Sequence, residues 1–308
     1  MPLQLIQLNP FRDQYRDALA FLHRLGVKTG NNRLATYLRV LNNAIDAEAQ
    51  SNETHQDDAA FANTIVEAAD IIAIASLDPA SLVDHDVLTK LRRIHRGPPI
   101  MREDGDDEAR NLAFEFSTAA AFRRRGGFAG FTTAGGDLLV TAPELVPVEC
   151  KRISSLPNLF NRIRDAREQL ERGVTAGNAP GVIALDLTRP IGLAQGPIVA
   201  NADAAFTDAA DQRLTAYIHE HLLEQHAQLL QVAGRPAVLG LALRYYAAGT
   251  AGDRANVRSA TVWQLYPLHE DDHDANELFK RVAGFFGEGP LRPIEPDAVD
   301  EARRNVAL

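Results

Sequence analysis

Apolar residues recur every three or four positions through most of the first hundred residues, which is the spacing of amphipathic helices. Glycine, asparagine, proline and acidic residues interrupt this pattern at 26–32, 50–55 and 78–79. We therefore predict about four helices and an all-helical N-terminal region over residues 1–105. The stretch 96–107, RGPPIMREDGDD, combines glycine, paired prolines and acidic residues, so we expect the boundary with the next domain there.

A different pattern occupies residues 106–308. A helical segment over 108–125 ends at a glycine pair, and three short segments rich in β-forming residues follow it at 128–133, 137–141 and 146–152. The remainder predicts helices at 157–172, 208–232 and 274–286, and strands at 181–188, 237–248 and 257–268. This order indicates an α/β (α+β) fold in which helices flank a mixed sheet, and we assign 106–308 to one domain.

Composition and charge exclude several classes of protein. The 32 basic and 41 acidic residues give a net charge of -9, which argues against a surface uniformly charged for nucleic acid or anionic membrane. No apolar run approaches the roughly 20 residues that cross a bilayer, and the first residues lack the features of a secretory signal. We therefore expect a cytoplasmic protein without a membrane partner. The single cysteine, Cys150, excludes an internal disulfide framework and a multi-cysteine zinc site.

The least acidic part of the chain is its middle. Residues 108–173 hold 10 basic and 8 acidic side chains, whereas the segments before and after them have net charges of -5 and -6. Lysine is also rare, since only four of the 32 cationic residues are lysines. A lysine beside acidic residues in this middle segment is therefore a candidate for a functional role.

Such a lysine lies in the segment VPVECKR. Strand alternation places Glu149 and Lys151 on one face and Cys150 on the other. Asp137 follows a glycine pair at the start of the preceding predicted strand, where a hairpin or meander brings it beside Glu149. Two such carboxylates suit Mg²⁺ or Mn²⁺, and a neighbouring lysine can hold or activate the attacking water or offset charge on a phosphate.

A third carboxylate comes from the helix before these strands. On a helical wheel Glu115 lies at the edge of the apolar stripe, beside Ala119 and Leu112. Because a lone buried charge is costly, we expect a metal, its waters or a lysine to pair with Glu115.

At these residues the chain resembles the PD-(D/E)XK nuclease superfamily, whose members share the restriction-endonuclease-like fold, and most closely its Mrr-type restriction endonucleases. The resemblance covers about residues 108–188. The matching residues are Phe114 and Glu115, then Arg125, Gly126 and Gly127, then Gly136 and Asp137, and finally Val148, Glu149, Cys150 and Lys151.

The resemblance implies a role for each residue. It assigns Asp137 and Glu149 to the metal, Lys151 to the water, and Glu115 to a supporting position; the backbone carbonyl of Cys150 becomes a further metal ligand. It also suggests Gln169, in the next helix, as an accessory residue. The acidic residue that usually follows the aspartate in Mrr-type enzymes is missing, which implies a single metal ion.

The expected activity is metal-dependent hydrolysis of nucleic acid, with DNA as the favoured substrate. Seven arginines are candidates for phosphate contact. These are Arg123, Arg124, Arg125, Arg152, Arg162, Arg164 and Arg167. Cleavage of both strands of a duplex would call for two active sites, and hence a homodimer. The acidic N-terminal region is a candidate surface for a protein partner.

The sequence is compatible with two alternative functions. The first is a zinc hydrolase, with ligands from His219, His221 and His226. Their spacing does not stack two ligands one turn apart. The segment HEDDH at 269–273 has the pattern of a charged loop. The other alternative keeps the nuclease fold without catalysis, as a module that binds nucleic acid or a protein partner. Detection of a Mn²⁺ site would favour the nuclease over this module.

Overall fold

The chain, seen in a computed structural model, forms a mixed β-sheet with helices on both faces. The structure describes residues 3–49, 58–99, 108–132, 135–141, 144–251, 257–269 and 271–286. Within these ranges the sheet has eight strands in the order β1-β8-β7-β5-β4-β3-β2, and β6 pairs with the far end of β7. The strands are β1 (Leu3–Ile6), β2 (Phe128–Phe131), β3 (Leu138–Thr141), β4 (Leu145–Arg152), β5 (Gly181–Asp186), β6 (Ile198–Ala200), β7 (Val238–Ala251) and β8 (Val257–Pro267).

The helices form two layers, one on each face of the sheet. Among the described residues of the N-terminal region there are five helices, α1 to α5, and α6 leads from them to the first hairpin. The helices are α1 (Leu8–Arg24), α2 (Arg33–Ala49), α3 (Asp58–Ala75), α4 (Pro79–Leu82), α5 (His85–Leu91), α6 (Glu108–Arg124), α7 (Leu159–Thr175), α8 (Thr188–Gln195), α9 (Asp203–Ile218), α10 (His226–Ala233) and α11 (His273–Ala283).

The central strands are buried on both faces, as their near-continuous apolar sequences require. All six residues of β5 are buried, and β4, β5 and β7 run parallel to one another. Val148 and Cys150 of β4 pack towards the N-terminal helices and α6, whereas Ile183 and Leu185 of β5 pack towards α7, α9 and α10. Alternation along each strand thus divides the interior into two cores. The predicted mixed α/β class is confirmed.

The N-terminal region is part of the same packed unit as the sheet. Helix α3 packs on α6 and β7, and the core of this face contains residues of both predicted domains. Strand β1 adds an edge strand antiparallel to β8, so the prediction of an all-helical region is wrong at these residues. The cause is that β8, more than 250 residues away in the chain, supplies hydrogen bonds that no local pattern predicts. The predicted domain boundary at 105/106 lies outside the described residues.

The predicted positions of the other elements largely agree with the structure. The long helix expected at 208–232 is divided into α9, a π-helical turn at His219–Leu223 and α10. Strand β3 begins one residue later than predicted, which leaves Asp137 just outside the ladder. No helix in the described ranges combines the length and hydrophobicity of a membrane-spanning segment.

Candidate active site

The candidate site lies on the edge of β4 that faces β3, past Val148, the last residue of β4 that pairs with β3. Leu138 of β3 pairs with Val148 of β4, and the Asp137 backbone N–H donates to the Val148 carbonyl at 3.0 Å. One step further along β4, the Asp137 side chain replaces a backbone carbonyl as the hydrogen-bond acceptor, because its Oδ2 accepts from the Cys150 N–H at 2.9 Å. Asp137 is thereby fixed to the backbone of the strand that carries Glu149.

Close packing of two glycines sets the path of the chain into Asp137. A Cβ on Gly135 would lie 2.1 Å from the Cα of Gly173 in α7, and Gly135 has a φ of +79°. Only glycine fits both this contact and this backbone conformation. The contact holds the turn before Asp137 against the helix that carries Gln169.

On the α7 side of β4, Glu149 and Lys151 form an ion pair. Glu149 is fully buried, and the exposed fraction of the Lys151 side chain is 13%. In the orientation that satisfies both ends of its amide, Gln169 donates to Glu149 Oε2 at 2.9 Å and accepts from Lys151 Nζ at 3.0 Å. The structure thus brings together the three residues that the sequence suggested for this face.

Glu115 approaches the same edge from α6 and is buried there. Its Oε1 lies 3.0 Å from Nζ of Lys90, and the same ammonium group lies 3.7 Å from Oδ1 of Asp137. The expectation that a cation pairs with Glu115 is therefore met by a lysine.

Lys90 is the site residue that the sequence interpretation missed. It lies in α5, within the N-terminal region, and nothing in the spacing of α5 relates it to residues 115–151. The available signal was compositional, because Lys90 is one of only four lysines in the chain. Two of those four lie among these carboxylates.

The pKa values reflect crowding of buried carboxylates. Burial raises the pKa of Glu115 and of Glu149, each to about 8, and the negative charge of Asp137 adds to both shifts. Burial alone would lower the pKa of Lys90 and Lys151, but the neighbouring carboxylates outweigh it, so both pKa values are raised. Full ionisation of Glu115, Glu149 and Asp137 would place three negative charges beside two ammonium groups, so the site favours a further cation or a proton.

This crowding predicts a pH-dependent stability for the metal-free protein. Because the pKa of Glu115 is about 8 when folded and 4.5 in its ordinary state, its stabilising contribution is complete below pH 4.5 and is lost as the pH rises through 8. Glu115→Gln removes the titration while keeping the shape. Thermal unfolding in EDTA should show Glu115→Gln gaining several degrees over wild type at pH 9 relative to pH 6. Glu168→Gln, at an exposed position, is the control; parallel curves for Glu115→Gln and wild type would contradict the burial argument.

The oxygen donors at this edge fit a hard divalent cation. Asp137 and Glu149 provide carboxylates, and the Cys150 carbonyl points to the same edge as its N–H because both lie on one side of an extended residue. Within the described residues no group of three or more His, Cys, Asp or Glu side chains is arranged to hold a metal ion. A metal here would thus use two carboxylates, one carbonyl and several waters, a ligand set typical of Mg²⁺.

The Cys150 side chain takes no part in this edge. Its thiol is buried in the core on the other face, and burial raises the pKa of the thiol well above its usual value. Cys150 therefore contributes to the site through its backbone.

Arg152 lies in the core rather than on the surface. Its guanidinium contacts Glu67 at 3.0 Å, Asp186 at 2.6 Å and also Asp70. This position does not fit the phosphate contact predicted for Arg152, because three carboxylates surround the guanidinium and only 3% of the residue is exposed.

Arg123, Arg124 and Arg125 lie on the surface at the end of α6, about 12–15 Å beyond Glu115 along the helix axis. Arg125 donates to the carbonyls of Phe285 and Phe286 at 3.0 and 3.2 Å. Arg123 lies 3.5 Å from the carboxylate of Asp78. Partial burial lowers the pKa of Arg124, and the neighbouring positive charge of Arg125 adds to the shift.

The arginines of α7 differ in position. Arg162 lies two helical turns from Gln169 on the same face and is partly exposed, 4.0 Å from Asp165. Arg164 is exposed. Arg167 folds back onto the protein, where it donates to the Val232 carbonyl at 3.2 Å.

In the part of the chain that the structure describes, no histidine belongs to a group of three or more side chains arranged to hold a metal ion. His219 and His221 lie in the π-helical turn, beside Glu224 and Glu220 respectively. His269 Nε2 lies 2.9 Å from the backbone carbonyl of Val238, so it holds a loop in place. The described residues thus offer nothing in favour of the zinc hydrolase.

Comparison with known proteins identified no relative. No protein-family model, no curated protein and no solved structure matches the chain. A function must therefore be inferred from the side chains themselves.

Proposed function

We propose that this protein is a metal-dependent nuclease of the PD-(D/E)XK type, with a restriction-endonuclease-like fold around β3, β4, β5, α6 and α7. The observation that carries the proposal is the convergence of Asp137, Glu149 and Lys151 at one edge of β4, with Glu115 and Gln169 beside them. This combination of acidic residues, lysine and hard oxygen donors suits hydrolysis of a phosphodiester bond.

Asp137, Glu149 and the Cys150 carbonyl would hold Mg²⁺ or Mn²⁺. Such an ion, when bound, lowers the pKa of a coordinated water and offsets negative charge on the phosphate. The three carboxylates of this site outnumber its two lysines, which supports binding of a divalent cation.

Lys151 positions the attacking water and offsets charge that develops on the phosphate. Its ammonium form is favoured because Glu149 and Asp137 raise its pKa despite burial, so Lys151 acts as a hydrogen-bond donor. Gln169 accepts from Lys151 and donates to Glu149, which orients both groups. Pre-organisation of this kind lowers the barrier because the groups need not reorient during the reaction.

Charge restricts where a nucleic acid can bind this protein. A chain of net charge -9 repels nucleic acid over most of its surface, so binding must rely on local arginines. The end of α6 and the exposed arginines of α7 are the candidates for this contact. We favour DNA as the substrate.

Replacing Arg123, Arg124 and Arg125 together by alanine is expected to weaken DNA binding about equally for all sequences, because phosphate contacts carry no sequence information. The slope of log affinity against log salt should fall by up to about 0.9 per lost contact. Fluorescence anisotropy of labelled duplexes across a salt series measures both quantities. Unchanged affinity and slope would show that the substrate binds another surface.

The most direct test of the proposed reaction is incubation with labelled DNA and RNA, as single and double strands, in the presence of Mg²⁺, Mn²⁺ or EDTA. We expect cleavage of DNA with either metal and none in EDTA. Absence of cleavage of every substrate with both metals would refute the nuclease.

Two observations favour the non-catalytic alternative. Both lysines of the site are paired with carboxylates, and the described residues contain no ready-made cluster of three metal-ligating side chains. A module that binds nucleic acid or a protein partner would need no metal. Calorimetric titration with Mn²⁺ distinguishes the two, because we expect a binding isotherm that Asp137→Asn weakens, whereas the module predicts no isotherm.

A further inference from the structure

Lys90 occupies a specific position between two carboxylates of the candidate site. Its Nζ lies 3.0 Å from Glu115 Oε1 and 3.7 Å from Asp137 Oδ1, and 27% of its side chain is exposed. These contacts join α5 of the N-terminal region to the edge of β4. They also place a positive charge where the proposed function requires another cation.

The two oxygens of Asp137 have different partners. Oδ2 accepts from the Cys150 N–H at 2.9 Å and is thereby directed at the strand. Oδ1 is the oxygen that faces Lys90, and it remains the oxygen better placed to bind a metal. A metal ion on Oδ1 would therefore lie within a few ångströms of the Lys90 ammonium, and two cations at that separation repel strongly.

We propose that Lys90 is an internal cation that competes with the divalent metal for Asp137. In the metal-free protein Lys90 is shared between Asp137 and Glu115 and partly offsets their negative charge. Metal binding displaces it from Asp137, and Glu115, with the shorter contact, retains it. This inference rests on the proposed function in that it assumes a metal binds at Asp137, but it does not require that the protein cleave nucleic acid.

Removal of Lys90 should tighten metal binding. Calorimetric titration with Mn²⁺ at pH 8.5 should give a dissociation constant on the order of tenfold lower for Lys90→Met than for wild type, because a competing charge has gone. Lys28→Met is the matched control, since it removes the same charge from an exposed position in the N-terminal region and should leave the constant unchanged. Affinity that is unchanged or weaker in Lys90→Met, or an equal gain in Lys28→Met, would overturn the proposal.

A second measurement uses the unaltered chain and so does not depend on a variant that folds. The rate at which acetic anhydride acetylates each of the four lysines can be followed by mass spectrometry with and without Mg²⁺. Lys90 should react faster with Mg²⁺ because it has lost its contact with Asp137, whereas Lys28 and Lys280, both exposed, should not change. A Lys90 rate that is unchanged or slower with Mg²⁺ would count against displacement.

These results separate the inference from the proposed nuclease. Tighter Mn²⁺ binding by Lys90→Met without cleavage by wild type would support the role of Lys90 and reject the nuclease. Cleavage by wild type, together with equal Mn²⁺ affinity in wild type and Lys90→Met, would support the nuclease and reject the role of Lys90. Absence of Mn²⁺ binding by both proteins would reject both proposals.

Discussion

Asp137→Asn and Glu149→Gln are each expected to lower metal-dependent DNA cleavage by about 10³-fold or more, while the chain stays folded. Each amide keeps the shape of the side chain but removes one of the two carboxylates proposed to hold the metal. A loss of several kcal/mol of transition-state stabilisation corresponds to a decrease of this size. The alanine variants at both positions should also be inactive.

The fold should tolerate these changes because the metal-free site contains excess negative charge. Burial and Asp137 raise the pKa of Glu149 to about 8, so a neutral group at either position relieves repulsion. Circular dichroism and thermal unfolding in EDTA should therefore show stability equal to that of wild type or slightly higher. A loss of activity accompanied by unfolding would have no bearing on the chemistry.

Lys151→Ala provides a contrasting variant. It removes the proposed water-positioning group but neither metal ligand, so Mn²⁺ binding should persist while cleavage falls by about 10²-fold or more. Glu168→Gln changes one exposed carboxylate on α7 and should cleave like wild type. Cleavage by Lys151→Ala at the wild-type rate would contradict the role of Lys151. Activity of Asp137→Asn and Glu149→Gln at wild-type rates would contradict the site altogether.

Glu67→Gln is expected to destabilise the fold by about 3 kcal/mol at pH 7. Glu67 is buried in α3 and accepts from Arg33 at 2.6 Å, Arg110 at 3.1 Å and Arg152 at 3.0 Å. Burial alone would raise the pKa of Glu67, but Arg110, Arg33 and Arg152 together lower it to about 2 from 4.5. A depression of this size corresponds to about 3 kcal/mol of stability in the ionised state.

The pH dependence of this effect has a defined sign. Because the folded pKa is depressed, the contribution of the Glu67 carboxylate is complete above pH 4.5 and is lost as the pH falls towards 2. The difference in unfolding free energy between wild type and Glu67→Gln should therefore shrink from pH 7 to pH 4. Urea denaturation at both values measures it, with Glu220→Gln, at an exposed position, as the control. A Glu67→Gln protein as stable as wild type at pH 7 would show that the arginines find other partners.

The network around Glu67 also supports the site indirectly. Arg152 follows Lys151 in β4, and it joins β4 to Asp186 at the end of β5 and, through Asp70, to α3. Arg244 of β7 contacts the same two acidic residues, at 2.8 Å for Asp186 and 3.0 Å for Asp70. These pairs hold the carboxyl ends of β4 and β5 and the middle of β7 against α3, beside the edge where the candidate site lies.

The sequence by itself determined those features that depend on local periodicity. Alternation along β4 put Glu149 and Lys151 on one face and Cys150 on the other, and the helical period placed Glu115 in α6. The glycine pair before Asp137 marked the turn into β3. A strand period of two and a helix period of 3.6 hold whatever packs against the element, so these relationships could be predicted without knowledge of the fold.

Only the tertiary structure decided which distant residues meet. The pairing of β1 with β8, the approach of Lys90 to Asp137 and Glu115, and the burial of Arg152 among carboxylates each join residues far apart in the chain. An arginine on a strand has the same local pattern whether it faces a phosphate or a buried glutamate, because its surroundings come from other elements. Packing of α3 against β7 and of α5 against α6 provides those surroundings, and burial makes their charges strong enough to set the pKa values of the site.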